Sequence, residues 1–157
     1  MITNKRQYRI TKAEAERFEQ ALAHSTEQGT HLHPRMRQAM QEGLESQLAD
    51  LREQLAEYEA LRNGRITVLE LNSLMELPDA LIRARTAAGV TQKELAARLG
   101  LKEQQVQRYE ATHYAGASLE RLQAVAEALG VTIHERVILP GARDNDIARI
   151  AELPPND

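Results

Sequence analysis

The sequence predicts a mainly α-helical protein with two short strands beside its helices. Leu, Ala, Glu, Gln and Arg dominate the 157 residues, and these residue types have high helix propensity. Apolar side chains recur at every third or fourth position through long stretches, which is the period of a helix with one buried face. In the second half of the chain, glycines divide such stretches into short helices, because glycine is common where a helix ends.

An N-terminal helical region, residues 1–64, is predicted to serve in dimerisation or partner binding. Thr11 and Glu14 have the spacing of a capping box, which predicts a helix that begins at Thr11. Residues 25–33 lack periodicity and predict a loop. A second helix then runs to Arg62, with apolar side chains at coiled-coil spacing: Leu44, Leu48, Leu51, Leu55 and Tyr58. The four leucines are the candidate dimer seam, although a helix packed on its own domain explains the same spacing.

Two segments rich in β-branched residues predict short strands. The first, RITVLEL at residues 65–71, belongs to a linker at residues 65–77. The second, VTIHERVIL at residues 131–139, alternates apolar and polar side chains and opens a C-terminal segment at residues 131–157. Between the linker and the C-terminal segment lies the domain that carries the functional signal.

The stretch TQKELAARLGLKEQQVQRYE contains two short helix patterns that meet at a glycine. Leu95 and Leu99 share a face of the first pattern, and Val106 and Tyr109 share a face of the second. Gly100 lies between them, where a positive φ angle costs little. The stretch therefore predicts two helices at a steep angle across a tight turn. A second helix that projects in this way fits the major groove of DNA.

On these residues, the domain at 78–130 resembles the Xre-type, or lambda-repressor-like, helix-turn-helix domain. The segments that carry the resemblance are LIRARTAAGVTQKELAARLGL, VQRYE and LERLQAVAEALGV. The resemblance implies five helices, a regulator of transcription, and a double-stranded DNA operator as its partner. It also implies that Gln92 caps the second helix, binds phosphate and braces the reading helix, and that Glu110 is the family's structural acid. Because one reading helix contacts too few base pairs to select a site, we expect a homodimer.

The base-reading positions that the resemblance implies are Glu103, Gln104 and Arg108. Their residue types fit this role, because Gln pairs with an adenine edge, Arg pairs with guanine and Glu accepts from a cytosine amino group. The full predicted DNA-binding set is Thr91, Gln92, Lys93, Lys102, Glu103, Gln104, Gln105, Gln107 and Arg108. The threonine and the two lysines of this set lie where phosphates would pass.

The flanking segments add a softer resemblance to HigA-type antitoxins. This resemblance implies a small ribonuclease toxin as a second partner and repression of the antitoxin's own operon. Two alternatives stay open: a stand-alone phage-type dimeric repressor without a toxin partner, and a protein-interaction module that uses the same fold. The polar second helix lacks an exposed apolar stripe, which disfavours the interaction module.

Other functions are not indicated. The absence of Cys excludes disulfides and thiolate chemistry. His24, His31 and His33 lie in or near a loop without fixed geometry, so we expect no metal site. The sequence has neither a paired acid and base nor a phosphate-cradling Gly-rich loop, and we expect no enzyme activity and no cofactor. Without a signal peptide or a long apolar span, a cytoplasmic, nucleoid-associated protein is expected.

Overall fold

The computed structural model describes residues 1–28, 33–137 and 139–140, and this part of the chain is mainly helical, as predicted. It contains six α-helices and one 3-10 helix, which are α1 (Lys5–Gln28), α2 (Pro34–Arg62), the 3-10 helix Leu74–Glu76, α3 (Leu77–Ala88), α4 (Gln92–Arg98), α5 (Glu103–Ala111) and α6 (Leu119–Leu129). The first two helices form a hairpin, and α3 to α6 pack as a small domain. No helix in the described ranges is apolar enough over a sufficient length to cross a membrane.

Helix α1 begins at Lys5, well before the predicted start at Thr11, so that prediction is wrong. The Asn4 side chain accepts a hydrogen bond from the Gln7 amide at 2.9 Å. In return, the Gln7 side-chain oxygen accepts from the Thr3 amide at 2.8 Å. These reciprocal bonds satisfy the free amides at the helix start in the manner of a capping box.

The predicted loop at residues 25–33 is also wrong in its first part, because α1 continues to Gln28. Residues 29–32 lie outside the described part of the chain. The same holds for residues 141–157, so the predicted C-terminal segment is described only as far as residue 140, apart from residue 138.

The hairpin uses the predicted leucine seam within one chain. The Tyr8 ring of α1 stacks on Tyr58 of α2 with 4.9 Å between ring centroids, and the Tyr8 hydroxyl donates to Glu59 at 2.6 Å. Leu48 is buried, whereas the other seam leucines keep part of their surface exposed: Leu44, Leu51 and Leu55. Packing of α2 on α1 therefore accounts for the coiled-coil spacing without a second copy of the chain.

The N-terminal segment of the hairpin packs on α3. Ile2 is buried, and the Thr3 carbonyl oxygen lies 3.3 Å from Nη2 of Arg85 and 3.4 Å from the Thr86 hydroxyl, both of which donate to it. A partly exposed ion pair between Glu57 of α2 and Arg83 of α3, at 2.9 Å, adds a second contact. The hairpin is thus joined to the small domain through one side of α3.

A third contact lies at the C-terminal end of α3. Nη1 of Arg62 donates to the Thr86 carbonyl at 3.4 Å, and a cation is favourable where helix carbonyls are unpaired. The guanidinium lies against Gly89, whose φ of +70° ends α3 in the left-handed region. A Cβ atom at this position would lie 2.1 Å from Nη1 of Arg62. Glycine is needed here both for its backbone angle and for the close approach of the arginine.

The core of the small domain is closed by its own helices. Its largest fully buried side chains come from all four of them: Leu81, Ile82, Leu95, Val106 and Val125. The resemblance implied five helices, but residues 77–137 contain four, because the chain continues beyond Gly130 without helical structure. The prediction of a helical domain is therefore correct, but the predicted number of helices is one too many.

The two predicted strands are not found in the described residues. Residues 65–71, 131–137 and 139 have neither helix nor strand structure. Val68 and Val137 are 75% and 83% exposed, whereas Val131 packs against the core of the small domain without forming a strand. A strand requires a neighbouring strand for its hydrogen bonds, and neither segment has one among the described residues. The β-branched composition alone therefore misled the prediction.

Candidate nucleic-acid interface

Helices α4 and α5 meet at the predicted tight turn. Gly100 has a φ of +65°, and the Leu101 amide donates back to the Ala96 carbonyl at 2.8 Å. Leu95 and Ala96 are buried on the inner face of α4, and Val106 is buried on the inner face of α5. The turn therefore places α5 across α4, with its inner face in the core and its other faces free.

A complete capping box begins α4. The Glu94 amide donates to the Thr91 hydroxyl at 3.1 Å, and the Thr91 amide donates to the Glu94 carboxylate at 2.7 Å. Hydrogen bonds from the Thr91 backbone and hydroxyl hold the pKa of Glu94 below its usual range. The cap residue is Thr91, so the predicted capping role of Gln92 is wrong. The Thr91 hydroxyl is already engaged with Glu94, which leaves it less available to a phosphate.

Gln92 instead braces α5 through a buried ion pair. Both oxygens of the Glu110 carboxylate accept from Arg85, at 2.5 Å from Nε and 2.7 Å from Nη2, and Gln92 Nε2 donates to Glu110 at 2.7 Å. Nη1 of Arg85 donates to the Val90 carbonyl at 2.8 Å. Arg85 is 2% exposed and Glu110 is 7% exposed, and two buried charges are tolerated when they pair and their hydrogen bonds are satisfied.

This network contains one residue that the sequence analysis missed and two whose roles the resemblance implied. Gln92 was expected to brace the reading helix, and its side chain donates to Glu110. The structural role of Glu110 was expected from the resemblance, whereas Arg85 was not singled out. A signal was present, because Arg85 lies at i+4 and i+3 from two apolar residues of α3, Leu81 and Ile82, on the face that is buried. An arginine on a buried face needs a carboxylate partner.

The outer face of α5 carries Gln104 and Arg108. Val106 and Glu110 define the buried face, and a rotation of about 100° per residue places Gln104 and Arg108 on the opposite side. These two residues are four positions apart, so their side chains are neighbours. Neither side chain has a hydrogen-bond partner in the described part of the protein, and both are exposed.

The other predicted residues of α5 are partly engaged. The Lys102 amide donates to the Gln105 side chain at 3.0 Å, so Gln105 closes the start of α5. Gln107 donates to the Glu103 carboxylate at 3.2 Å. The Lys93 and Lys102 ammonium groups are exposed and without an ion-pair partner among the described residues.

The turn after α5 has an unusual backbone. His113 and Tyr114 have φ angles of 49° and 55°, a region that residues other than glycine rarely occupy. Tyr114 is buried and stacks on Tyr109 with 5.6 Å between ring centroids, and its burial raises the pKa of the hydroxyl. Nδ1 of His113 contacts the Asp79 carboxylate at the start of α3. These contacts fix the end of α5, and the sequence analysis did not predict them.

The described residues contain no group of three or more His, Asp or Glu side chains that could hold a metal ion. Nδ1 of His24 donates to the Gln20 carbonyl oxygen of its own helix at 2.7 Å. His33 lies at the start of α2, and His31 lies outside the described residues.

A small domain that holds one polar helix outward through a tight turn and a buried brace has the architecture of a DNA-binding regulatory domain. Residues 81–136 match a family model described as Helix-turn-helix. This part of the chain is therefore a helix-turn-helix domain of the Xre, or lambda-repressor-like, type, a family of DNA-binding regulators and not of enzymes. No curated protein and no solved structure matches the chain.

Proposed function

We propose that the protein is a sequence-specific repressor that reads the major groove of its operator with α5. The observation that carries the proposal is the outer face of this helix. Gln104 and Arg108 lie side by side, opposite the buried face, with their donors and acceptors unused within the described protein. A glutamine can pair with an adenine edge and an arginine with a guanine edge, each through two hydrogen bonds.

Glu103 and its neighbours would complete the reading surface. The Glu103 carboxylate accepts one bond from Gln107, and its remaining lone pairs can accept from a cytosine amino group. Gln105 uses its oxygen at the helix start, which leaves its amide hydrogens for DNA.

Phosphate contacts would come from the start of α4 and the start of α5. The Gln92 amide nitrogen carries a second hydrogen beside the one given to Glu110, and this hydrogen can reach a phosphate. Lys93 and Lys102 add exposed positive charges. Thr91, the cap residue of α4, would lie beside the same phosphate. The brace from Gln92 to Glu110 would then couple the phosphate contact to the position of α5.

In a homodimer, a second copy of α5, related by two-fold symmetry, would read a second half-site. One α5 covers a few base pairs, and two copies double the sequence that is read. The partly exposed leucines of α2 offer an apolar surface for such pairing: Leu44, Leu51 and Leu55. Sedimentation at micromolar concentration should show twice the 17.6 kDa chain mass. A monomer both free and on DNA would contradict this part of the proposal.

An antitoxin role is the finer form of the proposal. It draws on a helical N-terminal region ahead of the DNA-binding domain, a region that here forms the hairpin of α1 and α2. The flanking strands that also suggested this role are not found in the described residues. A stand-alone dimeric repressor would lack a toxin partner. Co-purification of the chain with the product of a neighbouring small gene would separate the two.

Selection of bound duplexes from a random pool tests the main proposal. We expect enrichment of a palindromic site whose half-sites are about 34 Å apart, which is one helical turn. Failure to enrich any sequence, with a folded protein and low salt, would exclude sequence-specific binding. The protein-interaction module would then be the better description.

A further inference from the structure

The first turns of α1 have a charge distribution unlike the rest of the chain. Four cations, Lys5, Arg6, Arg9 and Lys12, precede the first acidic residue, Glu14. The whole chain has 20 Lys and Arg against 23 Asp and Glu, so it is acidic apart from such local groups. A polyanion would therefore contact this protein only through local positive surfaces.

The four side chains are exposed and available. None of them has an ion pair or side-chain hydrogen bond with another described residue. Other arginines of the hairpin are engaged: Arg52 pairs with Glu19 at 2.7 Å, and Arg62 donates to a carbonyl of α3. The Glu59 carboxylate of α2 reaches this end of α1, but it accepts from the Tyr8 hydroxyl.

Helix geometry arranges three of these cations in a row. Lys5, Arg9 and Lys12 are four and three positions apart and share one face of α1, beside the face that carries Tyr8 to α2. We call Lys5, Arg9 and Lys12 the basic stripe. At 1.5 Å of rise per residue, the stripe is about 10 Å long, a length that spans roughly three phosphates of one DNA strand.

The stripe begins beside the helix-turn-helix domain. The Thr3 carbonyl, two residues before Lys5, accepts from Nη2 of Arg85 at 3.3 Å. The same nitrogen lies 2.7 Å from Glu110, which lies 2.7 Å from the Gln92 amide, so at most about 9 Å separate the Thr3 oxygen from that amide. Gln92 opens α4 at the point where the proposed function places a phosphate.

We propose that the basic stripe binds the phosphate backbone of duplex DNA immediately outside the half-site that α5 reads. This inference rests on the proposed function and extends its footprint. Phosphates present no base edges, so the stripe adds affinity for every sequence and selects none. The hairpin thereby becomes part of the DNA-binding surface, in addition to any role in pairing or partner binding.

A pair of charge-matched variants tests the stripe in the full-length protein. The first carries Lys5→Gln and Arg9→Gln. The control carries Arg17→Gln and Arg35→Gln, two exposed arginines elsewhere on the hairpin, of which Arg17 lies about 18 Å further along α1 than Lys5. Both variants lose two charges, and glutamine preserves helix propensity. Equal thermal unfolding by circular dichroism verifies that both are folded.

The readout is the Kd as a function of salt, for the selected operator and for a scrambled duplex of the same length. The Lys5/Arg9 variant should lower the slope of log K against log salt by about two per subunit, and raise Kd at least tenfold at about 0.1 M salt on both duplexes. The control should match the wild type. A duplex cut at the outer edges of the half-sites should weaken the wild type and leave the Lys5/Arg9 variant unchanged.

Three results would overturn the inference. If the two variants weakened DNA binding equally, the basic stripe would act only through the net charge of the protein and not through a contact with DNA. If the salt slope of the Lys5/Arg9 variant were unchanged and operator selection intact, the basic stripe would not contact DNA, while the proposed function would still hold. Loss of binding to vesicles of equimolar phosphatidylserine and phosphatidylcholine, with DNA binding unchanged, would assign the stripe to an anionic membrane. If the wild type selects no operator, the proposed function itself fails, and that outcome is separate from these three.

Discussion

The helix-turn-helix domain and the hairpin differ in how completely each closes its own core. In the domain, side chains from α3, α4, α5 and α6 are fully buried against one another: Leu81, Ile82, Leu95, Val106 and Val125. In the hairpin, Leu48, Tyr58 and Leu61 are buried, but the other seam leucines are partly exposed and Met36 and Met40 lie in solvent. We therefore expect the domain to fold without the hairpin, whereas we expect the hairpin to depend on its contacts with the domain.

The junction between the two regions supports this contrast. Both contacts come from the open end of the hairpin, where the Thr3 carbonyl before α1 and Arg62 at the end of α2 reach the C-terminal end of α3. The Thr3 carbonyl in turn accepts from Nη2 of Arg85, so the hairpin supplies one of the hydrogen bonds of this buried arginine. The hydrogen bonds of Arg85, which hold Glu110, therefore include one from the hairpin.

The largest effect is expected from loss of the buried brace. Arg85→Ala leaves the Glu110 carboxylate buried without its main partner and should lower the free energy of unfolding by about 3–5 kcal/mol. Arg83→Ala is the matched control, because Arg83 lies on the same helix and its pair with Glu57 is partly exposed to solvent, which screens its contribution to about 1 kcal/mol. Urea denaturation of both variants measures the difference, and similar losses would contradict the special role of Arg85.

A smaller loss is expected when the hairpin is removed. A fragment that begins at Ile66 keeps the whole core of α3 to α6 and should melt cooperatively. It loses the buried Ile2 and the cation at the end of α3, which should cost about 2–3 kcal/mol. Calorimetry of the fragment and of the full chain measures this cost. A fragment without a cooperative transition would show that the domain does not close its own core.

The smallest effect separates backbone strain from contact at the junction. Gly64 and Gly89 have nearly equal φ angles of +73° and +70°, but only Gly89 lies against a side chain, that of Arg62. Gly64→Ala should cost about 1 kcal/mol through its backbone alone. Gly89→Ala should cost up to about 1 kcal/mol more, because Arg62 must move. In an Arg62→Ala background the two glycine substitutions should cost the same, and a persistent difference would exclude the contact as its cause.

The sequence predicted the domain more closely than the hairpin, and the reason is local. In the domain, helices end at glycines with a positive φ, and glycine in this position is a recognisable sequence signal: Gly89, Gly100 and Gly130. In α1, Asn4 with Gln7 and Thr11 with Glu14 offer two similar capping patterns, and no breaker between them decides which is used. The predicted strands failed because a β-branched composition does not supply a neighbouring strand.

The site was predictable in outline but not in detail. Residue types and the resemblance singled out Gln104 and Arg108, and their free outward position agrees with that interpretation. Which polar neighbours are already engaged depends on the fold. The hydrogen bonds from Gln92 and Arg85 to Glu110 join residues 18 and 25 positions apart, so a local sequence pattern does not predict that these side chains meet.

The central claim is that α5 reads bases while the start of α4 binds phosphates. The most direct test measures the binding of two variants, Arg108→Ala and Lys93→Ala, to operator and scrambled DNA across a salt series. Arg108→Ala should cost about 1–3 kcal/mol on the operator and relax the preference at one base pair of each half-site. Lys93→Ala should weaken binding to both duplexes alike and lower the salt slope by roughly one per subunit. If Arg108→Ala weakened both duplexes equally, with no change in sequence preference, the assignment of the reading face would be contradicted.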